Sequence, residues 1–385
     1  MRLFKSMFMF CFILLFFINL SKAFCQDAQS YGMGDTGTGM LSGVLGLYWN
    51  PAVFAYSNTT SVQTVAGFSA WDTSNVSTPI LDFSYNTGGQ VVQSSVVRNQ
   101  QYLGLFGLQY QNYGGGVVYD QQLQLQANPD SLAFFQDRQS TLSQSTTYTF
   151  NYSNIQQKSE NIVLSYGYQV PLQFLPYLGL GGSIKFYRGD LLDETSLQGW
   201  YSAGDVTGSN YQYTREYSTN GTGISYDIGL ISKVTSSIQI GVLFKNIVSS
   251  IRWDGELQTL SLGSNGQETV TQIQDNTIIT SLPRETRVGI VLAPPGKGIA
   301  IAAESRYQNG KSHWYFGLER SYPTSHLVIR LGTFIDPVSN RRVYTGGIGY
   351  QVAFLQADIA LLTEQVPNIL NSQGLGGAAD LTAQF

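Results

Sequence analysis

The sequence predicts an all-β protein: a fourteen-stranded antiparallel transmembrane β-barrel with an N-terminal plug, or hatch. Three observations predict it. Only 12% of the 385 residues are charged, about half the share usual in soluble domains. Mean hydropathy is -0.06, and past residue 23 no apolar run reaches the roughly 18 residues that a spanning helix needs. Short runs that alternate apolar and polar residues recur along the chain, rich in Gly, Tyr and Phe.

The N-terminus sets the compartment. Arg2 and Lys5 form a basic region, Met7 to Leu20 an apolar core, and Ser21-Lys22-Ala23 places small residues at a cleavage site. Residues 1–23 read as a signal peptide, with cleavage after Ala23 or after Cys25. Loss of Arg2, Lys5 and Lys22 takes the net charge from -4 to -7, which argues against nucleic acid as a partner. Cys11 and Cys25 are the two cysteines, so the mature chain has one at most and no disulfide framework.

Residues 26–58 form the plug segment. Gly32, Gly34, Gly37, Gly39, Gly43 and Gly46 suit neither a long helix nor a wall strand. Gly37-Thr38-Gly39 is no dinucleotide loop, because no strand precedes it and no acidic residue sits about twenty positions on. A barrel of fourteen strands is too wide to be filled by its own wall side chains, and this segment is the piece long enough to occupy it.

The barrel occupies 59–385. Strands are expected at 59–71, 100–111, 113–126, 159–170, 176–190, 222–233, 236–248, 283–293, 297–307, 312–320, 325–336, 341–351, 353–363 and 377–385. In the clearest, Ile224, Tyr226, Ile228 and Leu230 alternate with Ser225, Asp227 and Gly229. Tight connections then fall on one side and long polar ones, at 72–99, 127–158, 191–221 and 249–282, on the other. Short turns on the periplasmic side and longer loops outside are the outer-membrane pattern. Thr78 to Thr87 also alternates and reads as a hairpin within the first external loop. Phe385 ends the last strand as the terminal aromatic that barrel-insertion machinery reads.

Charges on strands follow the same logic. Asp227, Lys245, Arg287, Glu304, Glu319, Arg330 and Asp358 lie opposite Val288, Ile301, Phe316, Ile329 and Ile359, and a Lys or Arg facing lipid at the midplane costs about 2–4 kcal/mol. These charges are expected in the lumen, with Arg287 and Glu304 near enough to pair. Arg287 and Arg330 are the candidate receivers of a ligand head group. Trp71, Tyr102, Tyr110, Tyr113, Tyr187, Trp253, Trp314 and Tyr350 at strand ends are expected as interfacial girdles. His313 and His326, the two histidines, fall at opposite ends of neighbouring strands, too far apart to share a metal. No motif marks a catalytic group, so no enzyme, metal or cofactor is expected.

Leu47-Tyr48-Trp49-Asn50-Pro51-Ala52 after a Gly-rich start resembles the plug and Asn-Pro-Ala motif of FadL-type outer-membrane transport proteins, and equally that of their PorV/PorQ-like relatives. Asp227 to Gly255 and Leu282 to Pro294 are similar to the second branch. Val53 departs from the Gly that often follows the motif. The resemblance implies an outer-membrane barrel of a Gram-negative-type envelope, with Asn50, Pro51 and Ala52 at the hatch. It implies uptake of hydrophobic or amphipathic molecules such as long-chain fatty acids, which leave sideways through the wall into membrane lipid. Gly114 to Gly116 are its candidate for that opening. In the PorV-like branch the barrel is instead an accessory or shuttle with secretion-system proteins as partners. A general diffusion porin fits less well, since a plug obstructs an open lumen.

Overall fold

The computed structural model describes residues 27–40, 43–56, 60–72, 96–137, 147–172, 177–202, 209–262, 267–335, 342–364 and 374–385. The expected signal peptide and the Thr78 to Thr87 hairpin lie outside the described residues.

The chain is all-β and closed. Its strands are β1 (Thr60–Asp72), β2 (Val96–Tyr110), β3 (Tyr113–Ala127), β4 (Thr147–Gln169), β5 (Tyr177–Ser202), β6 (Asn210–Ser218), β7 (Gly221–Lys233), β8 (Ile238–Lys245) and β9 (Ser249–Leu262). They continue with β10 (Glu268–Thr280), β11 (Glu285–Leu292), β12 (Ile299–Gln308), β13 (Lys311–Tyr322), β14 (Leu327–Ile335), β15 (Arg342–Val352), β16 (Leu355–Thr363) and β17 (Gly374–Gln384). The circle closes where β1 pairs antiparallel with β17, from Ser61 opposite Gln384 to Trp71 opposite Gly374.

The strand count is a correction: seventeen strands among the described residues, not fourteen. The segments expected as long loops at 191–221 and 249–282 contain the end of β5 together with β6, β9 and β10. Helix α2 (Pro129–Asp137) and the start of β4 lie within the expected loop 127–158; the short helix α1 (Ala28–Gly32) precedes the barrel. These three extra strands form an outer tier. β6 pairs with β5 and β9, β9 also with β7 and β10, while β5, β7, β8 and β11 pair in turn beneath them. Strands of that tier bury only scattered apolar residues, such as Tyr211, Trp253 and Ile278, among polar ones, so they carry little apolar alternation to read. Among the described residues β10 has β9 as its sole strand partner.

The strands break where β8 gives way to β9 and β10 to β11. Asn246 ends β8 with a positive φ of 55°, a conformation Asn tolerates better than most residues. Its backbone N–H donates to Asp227 Oδ1 at 2.8 Å and its amide to Pro283 O at 3.0 Å, which ties both breaks together.

Sidedness follows the expected alternation. Val288, Ile301, Phe316, Ile329 and Ile359 are exposed outward, whereas Asp227, Arg287, Glu304, Arg330 and Asp358 are buried inside. An exposed apolar belt on a closed barrel is stable only in lipid, because closure satisfies every backbone group that lipid cannot. No described helix is long and apolar enough to cross a membrane. Tyr110, Tyr113, Trp314 and Tyr350 face outward as girdle residues. Tyr102 and Trp253 do not: both are buried, and Trp253 fills the space over Gly189 and Gly221 while donating to Thr280 Oγ1 at 2.9 Å. Tyr187 is likewise inward, lining a cavity. The side chain of Trp71 lies outside the described residues. Phe385 is exposed and stacks on Phe354 at 5.6 Å.

Candidate functional site

Residues 27–40 and 43–56 lie against the inner face of the wall. Asp27 caps α1, accepting from Ser30 N at 2.7 Å, and also from Trp49 Nε1 at 2.5 Å, so one carboxylate joins the two ends of the segment. Burial pushes the Asp27 carboxyl up, against the lowering effect of these hydrogen bonds. Ala28 N donates to Asp380, Gly34 N to Thr345, and Gly37 N and Thr38 N both to Glu304 Oε2 at 2.9 Å. Gln239 Nε2 donates to Gly39 O. Strands β8, β12, β15 and β17 therefore each hold the segment by a polar side chain.

The segment can lie this close because the wall is small-residued beneath it. Gly167, Gly181 and Gly229 stand opposite one another on β4, β5 and β7; Gly241 faces Gly289; Ala302, Gly317 and Gly332 form a third run. A Cβ on Gly181 would collide with Pro51 C and Ala52 N, and one on Gly332 with the backbone of Gly34. Glycine weakens a strand, and a close approach of another backbone is the usual reason to find it there.

Asn50, Pro51 and Ala52 form one buried turn. Asn50 is fully buried; its Oδ1 accepts from Ala52 N at 3.0 Å, and Pro51 opens a 3-10 turn over Pro51–Ala55, where its missing N–H costs nothing. Asn50 Nδ2 reaches Thr38 O at 2.9 Å, Leu230 O at 3.2 Å and Val242 O at 3.3 Å. One amide thus joins the segment to itself, to β7 and to β8.

Arg287 and Arg330 both point inward but are not brought together. Arg330 is fully engaged, with Glu319 at 2.8 Å and Asp358 at 2.5 Å. The expected Arg287–Glu304 pair does not form. Glu304 pairs with Arg306 at 2.7 Å, and Arg287 pairs with Glu285, two residues along its own strand, at 2.8 Å. The reason is competition: Glu304 already accepts from two segment N–H groups and from Arg306, which also pairs with Asp35 at 2.6 Å. Burial pushes the Asp35 carboxyl up to about 6, against the lowering pull of the Arg306 guanidinium.

Arg306 and Tyr315, not singled out in the sequence, complete the site. Lys245 lies 3.7 Å from the centre of the Tyr48 ring, Arg287 4.7 Å and Arg306 4.8 Å from the Trp49 ring, and Arg306 4.0 Å from Tyr315. Cations and aromatic faces alternate across the lumen, each stack being favourable where water is excluded. The alternation Ala302, Glu304, Arg306 placed Arg306 on the inner face, so its signal was present.

A cavity of about 590 Å³ rests on this ladder, floored by Tyr31, Asp35, Leu47 and Tyr48 of the segment. Gln101, Gln122, Gln124, Gln157 and Asn161 line one side, Lys245, Arg287 and Arg306 the other. His313 lines it too; His326 sits in the turn after β13. Among the described residues no group of His, Cys, Asp or Glu is placed to hold a metal ion. Gly114 to Gly116 offer no opening: β3 pairs without interruption with β2 and β4 through them, and Gly114 and Gly116 abut Phe54 and Leu47.

No family model matches the sequence, and no curated protein matches it. Solved structures do. The Pseudomonas putida toluene transporter TodX aligns with a TM-score of 0.56 at 14% identity, over 93% of this chain and 97% of that one. The Ralstonia pickettii toluene transporter TbuX gives 0.56 at 13%, over 93% and 97%. A Pseudomonas aeruginosa FadL homologue gives 0.53 at 11%, over 94% and 99%. With its closed wall, apolar outer belt and inward N-terminal segment, the chain has the FadL-type outer-membrane barrel fold.

Proposed function

We propose that this barrel carries hydrophobic or amphipathic small molecules, such as long-chain fatty acids, across the outer membrane, with its N-terminal segment as a plug and Asn50, Pro51 and Ala52 as the hatch. The chain divides accordingly into a signal peptide (1–23), a plug (26–58) and a barrel (59–385), and acts without catalysis. The observation that carries the proposal is the cavity seated on a segment whose turn at 50–52 is held to the backbone of β7 and β8 by one amide, Asn50. A contact so localised is one a ligand can displace. Arg287, on the cavity lining, is the head-group residue; Arg330 is held by Glu319 and Asp358. The fold's likeness to transporters named for toluene supports movement of apolar compounds.

A second class is favoured by other observations. The cavity lining is largely polar, and the outer tier ends in β10, whose far edge has no strand partner among the described residues. Such an edge suits an added strand from another chain, as in a PorV-like accessory of secretion.

Mass spectrometry of organic extracts from the detergent-purified barrel separates the two. Co-purified lipid that is lost on deletion of 50–52 supports the transporter. An empty barrel that retains secreted chains refutes it in favour of the accessory.

A further inference from the structure

One side of the cavity is built from neutral side chains in register. Ser69 on β1, Gln101 on β2, Gln122 on β3 and Gln157 on β4 stand opposite one another in turn, and all four line the cavity. Asn99 and Gln124 form the next rung toward the outer rim, and Asp120 and Ser159 the next below. Neighbouring strands lie about 4.8 Å apart, and alternate residues about 6.8 Å apart along a strand, so these groups form a lattice. The lattice is open to an occupant: Gln122 and Gln124 are exposed and Gln157 is half-buried. Gln124 and Gln157 have no hydrogen-bond partner among the described residues. Gln101 and Gln122 both donate to the Asp120 carboxylate, which holds two planar amides on the lining.

This side is also nearly uncharged. Among the lining residues of β1 to β4 the sole charge is Asp120, whereas Lys245, Arg287 and Arg306 stand across the lumen. A carboxylate laid on the amides would meet Asp120 and no cation. A hydrocarbon would take water from them and return no hydrogen bond. An amide offers N–H donors beside a carbonyl acceptor, and a hydroxyl both donates and accepts. Adjacent hydroxyls therefore satisfy one amide at both ends, and a lattice of amides calls for several hydroxyls on one molecule. Tyr187, opposite Asn161 in the β4–β5 register, borders the amides on the lining. The electron-rich face of such a ring suits the C–H face of a sugar.

We propose that the face of the cavity formed by β1 to β4 binds a neutral polyhydroxylated group, a sugar or the sugar head of an amphiphile, through Gln122, Gln124 and Gln157, with Tyr187 against its ring. The site stands apart from the transport reading, on which only the ligand's passage rests. Its ligand is more polar than the toluene for which the structurally similar barrels are named.

The test is isothermal titration calorimetry on the full-length barrel in an amine-oxide detergent, whose head carries no sugar. The probes are hexyl β-glucoside, maltose, hexan-1-ol and hexanoate, each corrected for partition into protein-free micelles. The tighter of the two sugars is expected to bind about tenfold tighter than hexan-1-ol or hexanoate, as two added hydrogen bonds imply. Maltose that binds as tightly as the glucoside identifies a free saccharide as the ligand; weaker maltose identifies a glycolipid head. Joint Gln122→Leu and Gln157→Leu substitution removes the preference for sugar over hexan-1-ol. Gln121→Leu, on the other face of the same strand, leaves it.

Hexan-1-ol or hexanoate binding as tightly as the better sugar, or no binding of either sugar, overturns the proposal on the unaltered chain. A preference that survives the double substitution overturns it as well. Uptake of labelled oleate and hexyl glucoside by cells with and without the barrel separates the two readings. Oleate uptake raised by a barrel that binds no sugar overturns this proposal and leaves transport standing. Sugar bound as described, with neither uptake raised, leaves the site and refutes transport.

Discussion

Gly229→Ala is the sharpest probe of the seated N-terminal segment. The added methyl would fall well inside contact distance of Asn50 Oδ1, 3.0 Å from Asn50 Cγ and 3.1 Å from Pro51 Cδ. Neither neighbour is the free end of a flexible side chain, since Asn50 is fully buried and Pro51 is a ring. Asn50 must therefore leave its place, losing the bond from Ala52 N and those to Thr38, Leu230 and Val242. At about 1 kcal/mol net for each bond, and with two hydrogens shared over three acceptors, the loss is about 3 kcal/mol. That shifts the seated-to-unseated equilibrium by about two orders of magnitude. Single-channel recording in planar bilayers reads it: the unaltered barrel stays closed and Gly229→Ala shows frequent openings. Gly346→Ala is the control, as its methyl would meet only atoms at 3.9 Å. Identical closed traces for both variants would refute the argument that the wall glycines seat the segment.

Three further outcomes are expected. Val288→Arg, which puts a charge on the exposed apolar belt, destabilises the barrel by about 2–4 kcal/mol in reversible unfolding from lipid vesicles if Val288 lies near the bilayer midplane. Trp253→Ala empties the space over Gly189 and Gly221 and costs about 3–5 kcal/mol in the same assay, with the outer tier opening first to hydrogen exchange. Asp35 titrates near 6 when buried and near 3.8 when free, so the seated state takes up a proton and is favoured by acid. Its advantage is fully present below about pH 4 and is lost as pH rises through 6; limited proteolysis of the segment should accelerate over that range, and Asp35→Asn should flatten the profile.

What could be read from the sequence followed from the difference between lipid and lumen. β7, β8 and β11 to β16 alternate visibly because one face meets acyl chains and the other meets charge, as Val288 beside Arg287 illustrates. β6, β9 and β10 stand clear of that difference: Tyr213-Thr214-Arg215-Glu216 is polar on both faces and reads as loop. The Asn50-Pro51-Ala52 turn was legible because its chemistry is local, Asn capping and Pro starting a 3-10 turn. Its seat was not, since Gly229 opposite Gly181 has meaning only once two strands are in register. Arg287 showed its face by alternation, but its partner depended on which neighbour reached Glu304 first, and Arg306 with two segment N–H groups did.

The small-residued wall also bears on how the barrel is built. Glycines at facing positions of β4, β5 and β7 give these strands little cross-strand side-chain adhesion at that level, and cross-strand pairs are what normally stiffen a sheet. The N-terminal segment supplies the missing contacts from within. It therefore serves as an internal brace, against which the glycine-lined stretch of the wall is stiffened. A part that the wall needs in order to be stiff is poorly suited to wholesale ejection, so opening by a small local shift at one turn costs far less than expelling the segment.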